Sequence, residues 1–223
     1  MIDRAIARCW IAVVMSATVG ACASTSATSS APGTTLPGPP ARITPDSAST
    51  LLVPAGFGTL KQEDISIVLN PNGVRVTAIP LDEAVIRVLA PDSYRALRAV
   101  LESKRQVITQ RAASHGVRDP RVWMVSFLGL VPDARFVPTD ITVTSGGREF
   151  RPIDVIGLTA GFSEQRLQPR EMQRGLVVFD SGLDVSQPVA VTMGAERNTD
   201  WETILQRIDA ERATIRARAG GRP

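Results

Sequence analysis

Histidine, cysteine and lysine, three residue types often used in acid–base and nucleophilic catalysis, are scarce in this 223-residue chain. His115 is the only histidine, so a Ser-His-Asp triad depends on it alone. It stands beside Gly116 at the predicted end of a helix, where a favourable contact with the helix dipole explains it better than catalysis does. The sequence contains no S-x-x-K, G-x-S-x-G, H-E-x-x-H or phosphate-binding glycine loop. We therefore predict no catalytic residue and no cofactor from these motifs.

Carboxylates leave two further possibilities. Asp180 and Asp184 flank Gly182, but the stretch lacks the ligand density of a calcium loop, so we predict a turn and no metal site. A carboxylate pair for glycoside hydrolysis has no fixed sequence spacing, because the fold brings the two groups together in space. A hydrolase that uses such a pair therefore stays open as an alternative function.

The two cysteines, Cys9 and Cys22, both lie in the N-terminal segment. Two arginines precede an apolar run from Trp10 to Val19, and small residues follow it, which is the pattern of an export signal. The run is shorter than the roughly 20 residues that a membrane-spanning helix needs. We therefore expect residues 1–21 to be a signal peptide that is removed, and the folded domain to contain no disulfide.

Val19-Gly20-Ala21-Cys22 resembles the bacterial lipobox, in which the thiol accepts a diacylglycerol before cleavage just ahead of the cysteine. The resemblance implies that Cys22 is the lipidated first residue of the mature protein. Ala23 follows where an aspartate would favour the inner membrane, so in a cell with two membranes we expect the outer one. Ala21-Cys22-Ala23 also fits an A-x-A cleavage site, and cleavage after Ala23 would give a soluble secreted protein.

Residues 22–50 consist mostly of Ser, Thr, Ala, Pro and Gly. Such a stretch cannot bury enough apolar surface to offset its conformational entropy, so we predict a disordered tether. The formal net charge is +3, and Lys61 and Lys104 are the only lysines. Because no polybasic stripe is present, we expect no nucleic-acid partner. The chain from residue 51 onward is long enough for one ordinary domain.

The domain begins with a predicted β-hairpin. Hydrophobic residues alternate from Ile65 to Leu69 and from Val74 to Ala78, with a Pro-Asn-Gly turn between the two runs. The period then changes to that of a helix, and residues 81–115 predict a helical insertion made of one short and one long helix. Asp92 can cap the long helix, and Gly116 is a C-terminal stop signal.

Strand-like periodicity returns after the insertion. The segments with this pattern are 121–130, 141–150, 153–158, 176–179 and 189–193. Residues 199–218 predict a final helix with an apolar stripe, and Thr199 and Glu202 fit a capping box. We therefore predict a mainly β, α+β domain over residues 51–219, an antiparallel β-sandwich with a helical insertion and a C-terminal helix.

Two later segments carry a family resemblance. ITVTSGGREFRP (141–152) and LQPREMQRGLVVFD (167–180), with a final apolar strand, resemble the end of the telokin-like, immunoglobulin-fold domains of bacterial lipoproteins. The resemblance implies an immunoglobulin-like sandwich with a binding or accessory role and no catalytic residues. This chain departs from the family at Arg170, where a glycine often follows the proline, and in its helical segment 81–116.

Phe162 lies in a polar connection of about a dozen residues, a length that is often functional in a compact domain. Arg166, Arg170 and Arg174 lie nearby in the sequence. Because aromatic and arginine side chains are enriched in interfaces, we predict that these four residues form a partner-binding surface. Anchoring of the loop by Phe162 is the alternative.

Two functional classes follow from these observations. The first is a lipid-anchored, non-catalytic protein of the cell envelope that acts as a binding or assembly module for another envelope protein. The second is an envelope hydrolase, acting for example on glycans, that uses a carboxylate pair on a sandwich scaffold.

Overall fold

The computed structural model describes residues 52–220, and within this range the chain forms eleven strands and three α-helices. The strands are β1 (Ile67–Leu69), β2 (Val74–Pro80), β3 (Arg121–Gly129), β4 (Ala134–Arg135), β5 (Ile141–Ser145), β6 (Arg148–Phe150), β7 (Asp154–Gly157), β8 (Arg166–Leu167), β9 (Met172–Phe179), β10 (Val189–Met193) and β11 (Glu196–Asn198). The helices are α1 (Glu83–Ile86), α2 (Pro91–Ser114) and α3 (Trp201–Gly220). The predicted signal peptide, Cys22 and the predicted tether lie outside the described residues.

The larger sheet has the strand order β1-β2-β3-β9-β7 and is antiparallel throughout. Trp123, Val125 and Phe127 on the central strand β3 share one face of the sheet and are buried in the core. Val122 and Met124 are buried as well, although they point to the opposite face, called the outer face below. Both faces of this end of β3 are covered, which explains why its sequence is apolar without alternation.

Helix α2 covers the outer face at the end where β3 begins. Asp154 on β7 shares this face with Val122, because both pair with Val178 in the sheet. Arg111 of α2 donates to the Asp154 carboxylate at 3.0 Å and to the carbonyl oxygen of Val155 at 3.3 Å. The backbone N–H of Val155 donates to the same carboxylate at 2.7 Å. These bonds occupy the free edge of β7 and hinder its pairing with another strand.

The second main sheet has the order β11-β10-β5-β6. Its β5–β6 pair is the hairpin that the sequence predicts, with Val143 opposite Phe150. Gly146 and Gly147 have φ of +55° and +77°, so the turn needs left-handed backbone that glycine adopts readily. Both main sheets contribute side chains to one hydrophobic core. The short strands β4 and β8 form a separate two-stranded ribbon.

Helix α2 differs from its prediction at one end. Ala90 is the N-cap residue, and Pro91 occupies the first turn, where its missing N–H has no cost. Asp92 therefore lies inside the helix and makes no capping hydrogen bond, so the prediction that it caps the helix is wrong. At the other end Gly116 has φ +74° and Val117 donates back to the last turn, which confirms the predicted glycine stop.

Helix α3 starts at Trp201, and the predicted capping box is wrong. Among the described residues, no hydrogen bond joins Thr199 to Glu202. The side chain of Asn198 accepts the Asp200 N–H at 2.8 Å instead. The predicted apolar stripe is confirmed, because Trp201, Ile204, Ile208 and Ile215 are buried.

Trp201 fixes α3 to the core side of the larger sheet. Its ring centroid lies 6.3 Å from that of Trp123, and its indole N–H donates to the Val185 carbonyl oxygen at 2.9 Å. Arg212, further along the helix, is buried and donates to the carbonyl oxygen of Ala84 in α1 at 2.7 Å. The predicted α+β class, mostly antiparallel β with a C-terminal helix, is therefore confirmed.

No helix within residues 52–220 combines the length and the apolar character that crossing a membrane requires.

Candidate interaction surface

Phe162 lies in a 3-10 turn, Ala160–Glu164, and its side chain is buried, with 7% of its surface exposed. Its ring centroid is 6.0 Å from that of Phe127 and 5.6 Å from that of Phe136, and the latter two rings stack at 4.3 Å. The ring therefore belongs to an aromatic cluster of the core. The prediction that Phe162 forms part of a contact surface is wrong, and the side chain anchors the loop.

Two glycines make room for this ring. Gly157 on β7 and Gly175 on β9 are paired in the sheet, and the ring of Phe162 lies against both. A Cβ on Gly175 would lie 2.4 Å from Cζ of Phe162, and one on Gly157 would lie 3.1 Å from its Cβ. The sequence analysis did not predict this packing of Phe162 on the two glycines, although a glycine within a strand is a signal of close backbone approach.

A chain of hydrogen bonds holds the rest of the connection. The buried side chain of Gln173 accepts from the Thr159 hydroxyl and donates to the Glu171 carboxylate at 2.8 Å. Glu171 also accepts the backbone N–H of Gln168 at 2.9 Å. The hydrogen bonds from Gln168 and Gln173 lower the pKa of Glu171, since they favour its charged form. The loop is therefore fixed at both ends.

The three arginines of the predicted surface diverge. Arg166 on β8 is exposed and forms an ion pair with Asp133 at 3.1 Å. Arg170 is exposed in the turn before β9 and has φ +66°, a left-handed conformation at the position where the resembled family often has glycine. Arg174 is exposed on β9, but it points to the outer face, because it pairs with Ser126. Arg166 and Arg170 therefore lie near one another, and Arg174 belongs to another surface.

Arg166 and Arg170 lie at one end of the domain, called the loop end, which comprises Pro71–Gly73, residues 130–135 and residues 165–171. Backbone hydrogen bonds tie these segments together. Leu130 donates to Gly73 and Arg170 donates to Gly129, both at 2.9 Å. The non-glycine residues with positive φ in the described range all fall here: Asn72, Asp133, Gln165 and Arg170. Unfavourable backbone is thus concentrated at the loop end.

The loop end also exposes apolar side chains. Leu130 and Val131 each leave 45% of their surface in solvent. Exposed Arg135, Arg166 and Arg170 lie in the same segments. Isolated exposed leucines are common, but adjacent apolar residues beside several arginines have the composition of a protein-binding surface.

The carboxylates near α1 form ion pairs with arginines. Asp82, Glu83 and Asp119 line a groove of about 320 Å³ between α2 and the start of β3. Arg121 lies 3.2 Å from Asp82 and 3.7 Å from Asp119. Glu83 binds Arg87 at 2.7 Å and also Arg98, whose pKa it raises above its ordinary value. This network fixes α1 and α2 to β3, and each of its carboxylates faces a guanidinium.

Three other features that the sequence raised as chemical candidates are the histidine His115, the Asp180–Asp184 turn and possible metal ligands. His115 is exposed at the C-terminal end of α2, and no hydrogen bond joins it to a serine or a carboxylate within residues 52–220. Asp180 accepts the Gly182 N–H and Asp184 accepts the Ser186 N–H, both at 2.8 Å, so the predicted turn is confirmed. In the described part of the chain, no group of three His, Cys, Asp or Glu residues is arranged to hold a metal ion.

Comparisons of the chain with protein-family models, with curated proteins and with solved structures find no match.

Proposed function

We propose that this chain is a non-catalytic, lipid-anchored protein of the cell envelope that binds a partner protein through its loop end. The observation that supports this proposal is the exposed pair Leu130 and Val131 at the same end of the domain as the exposed Arg166 and Arg170, the latter with a left-handed backbone conformation. Arginine is one of the residue types that most often supply a large share of interface energy, with about 2 kcal/mol or more at a single residue in many interfaces.

The anchor is the second part of the proposal. Acylation of Cys22 would attach the protein to a membrane, the outer one in a cell with two membranes, and residues 22–50 would act as the tether. As a flexible coil the tether has an r.m.s. reach on the order of 30 Å. The domain would then reach partners beyond the lipid surface. Cleavage after Ala23, which leaves a soluble secreted protein, is the alternative.

We further propose an immunoglobulin-like arrangement of the two main sheets. Two features support it: both sheets contribute to one core, and the β5–β6 hairpin with β9 contains the segments that resemble the telokin-like lipoprotein domains. That family has binding or accessory roles, which agrees with a module that acts without catalysis.

The hydrolase alternative needs two carboxylates in a cleft that are free for proton transfer and nucleophilic attack. Asp82, Glu83 and Asp119 share a groove, but each faces an arginine. This arrangement suits a structural ion-pair network and supports the binding module over the hydrolase.

Co-purification from crosslinked cells tests the proposed function. Leu130→Ser combined with Arg166→Ala removes one apolar and one cationic group, and both side chains are exposed, so the fold should keep its stability. We expect partner capture to fall at least tenfold at matched expression. Arg118→Ala, an exposed arginine away from the loop end, is the matched control. Unchanged capture by the double variant would contradict a binding role for this surface.

A further inference from the structure

The outer face of the larger sheet has a second half that α2 leaves uncovered. Thr77, Ser126 and Arg174 form one row across β2, β3 and β9, and Arg75 lies in the next row toward the loop end. They line a groove of about 450 Å³ together with Gln62, Glu63, Ser66, Val68, Asn70, Ile79, Met124 and Met172. The groove lies between the turn Gln62–Ile65 and strand β9.

The polar groups of this groove have few partners of their own. Arg75 donates to the Asn70 side chain at 3.3 Å and makes no ion pair with a described residue. The Arg174 guanidinium and the Thr77 and Ser126 hydroxyls make no hydrogen bond within residues 52–220. Glu63, which also lines the groove, forms an exposed ion pair with Lys61 at 3.3 Å. Among residues 52–220, no carboxylate forms an ion pair with either of the two arginines of the groove.

Apolar surface accompanies these charges. Val68 on the edge strand β1 and Met172 on β9 leave 38% and 43% of their surfaces in solvent. Ile79 and Met124 close the groove on the side toward α2. A ligand that fits must therefore present both negative and apolar groups, which a small inorganic anion does not.

The spacing of the arginines points to an extended ligand. Arg75 and Arg174 are two strands apart and offset by two residues, which places their Cα atoms about 12 Å apart. In an extended peptide, side chains at positions i and i+4 project to the same side about 13 Å apart. Two acidic side chains with this spacing would each meet one arginine, and an apolar side chain at position i+2, which projects to the same side, would lie between them against the sheet.

We infer that this groove binds an extended acidic peptide segment of a protein partner, in which acidic side chains at positions i and i+4 and an apolar side chain at position i+2 face the sheet. Arg75 and Arg174 bind its carboxylates, and the free hydroxyls of Thr77 and Ser126 hydrogen-bond to its backbone. The site is separate from the loop end, and neither the lipid anchor nor the function proposed for the loop end is needed for it. Charge complementarity selects this occupant, because neither Arg75 nor Arg174 forms an ion pair with a carboxylate of residues 52–220.

Fluorescence anisotropy on the purified full chain in detergent tests the inference. The probe is a labelled nine-residue peptide with glutamate at positions 1, 5 and 9, valine at positions 3 and 7 and serine at the even positions, and the same peptide with glutamine in place of glutamate is the matched control. We expect the acidic peptide to bind at least tenfold more tightly than the glutamine peptide, and its affinity to fall as salt is raised. Equal affinity for both peptides would overturn the inference.

Arginine variants locate the binding. Arg75→Gln with Arg174→Gln should weaken the acidic peptide at least tenfold. Arg105→Gln with Arg118→Gln removes the same charge from exposed residues outside the groove and should change affinity less than twofold. Since the altered side chains are exposed in both variants, the melting temperature should be unchanged. An equal loss in both variants would overturn the assigned site, because it would show an effect of net charge alone.

Two further measurements exclude other occupants. If inorganic phosphate competes as well as the peptide at equal concentration, the groove is a simple anion site and the inference is overturned. If the chain forms a dimer that dissociates in the Arg75→Gln, Arg174→Gln variant, a second copy is the occupant and the inference is also overturned. A monomer in which excess phosphate does not displace the peptide supports the inference.

Discussion

The ring of Phe162 lies against the backbone of Gly175, so closely that a Cβ on this glycine would be 2.4 Å from Cζ of the ring. Phe127 and Phe136 also pack against the ring, with centroids 6.0 Å and 5.6 Å away. The 160–171 connection is therefore fixed to the sheet by a contact that only a glycine permits. This relationship couples the position of the loop end to the core.

Gly175→Ala tests this contact through the free energy of unfolding. The added methyl overlaps the ring, and we expect a loss of about 1–3 kcal/mol. Phe162→Ala removes the buried ring and leaves a cavity, and it should lower the free energy of unfolding by about 3–5 kcal/mol. In the double variant the new methyl meets no ring, so the two losses should not add. Chemical denaturation of the four proteins gives the coupling energy.

Gly182→Ala is the control for the glycine series. Its nearest neighbours lie 3.4 Å from the position of a new Cβ, and its φ is not in the left-handed range. Its stability should therefore change by less than about 0.5 kcal/mol. Strict additivity of Gly175→Ala and Phe162→Ala would show that the ring does not rest on this glycine.

Arg170→Gly should make the protein more stable. Arg170 has φ +66°, which is unfavourable for a side chain with a Cβ, and glycine removes the penalty. We expect a gain of about 1 kcal/mol in the free energy of unfolding. If the guanidinium serves binding, the same variant should weaken partner capture at the loop end. A loss of stability would mean that Arg170 makes contacts that outweigh its backbone conformation.

Glu171→Gln should change how stability depends on pH. Hydrogen bonds from Gln168 and Gln173 hold the pKa of Glu171 below its usual value of about 4.3. Glu171 therefore stabilises the fold above pH of about 4.3, and this contribution is lost as the pH falls through the lower folded pKa.

Melting temperatures measured from pH 7 downward check this dependence. The wild type should melt above the Glu171→Gln variant at neutral pH, and the difference should disappear in acid. Glu164→Gln, an exposed glutamate in the same connection, is the matched control and should follow the wild type. A difference that stays constant with pH would show that the charge of Glu171 does not hold the turn.

The elements that sequence periodicity predicted well are those whose signals are local. The turn residues between β1 and β2 and the two glycines between β5 and β6 determine hairpins within a few residues. The helical insertion is found at residues 83–114 against the predicted 81–115. β9 starts at Met172, four residues before the predicted strand, because Gln173 is buried by contacts that its neighbours in sequence do not reveal.

The surface was harder to predict, because it depends on pairing between distant segments. Phe162 stands among polar residues, and only the two distant glycines on neighbouring strands show why it is buried. Arg166 and Arg174 are close in sequence, but the turn at Arg170 sends them to different surfaces. Arg75 and Arg174 lie on the same face of the sheet because of the register of β2, β3 and β9. No local sequence pattern predicts that register.

Cys22→Ala tests the proposed anchor. If the thiol is acylated, the wild-type protein should partition into detergent and gain the mass of acyl chains, because buried methylenes contribute about 0.8 kcal/mol each to membrane binding. The Cys22→Ala variant should lose both properties. Cys9→Ala, which alters the other cysteine, should keep both and is the matched control. A wild-type protein that stays in the aqueous phase and begins at Ser24 would contradict the anchor and establish the A-x-A cleavage instead.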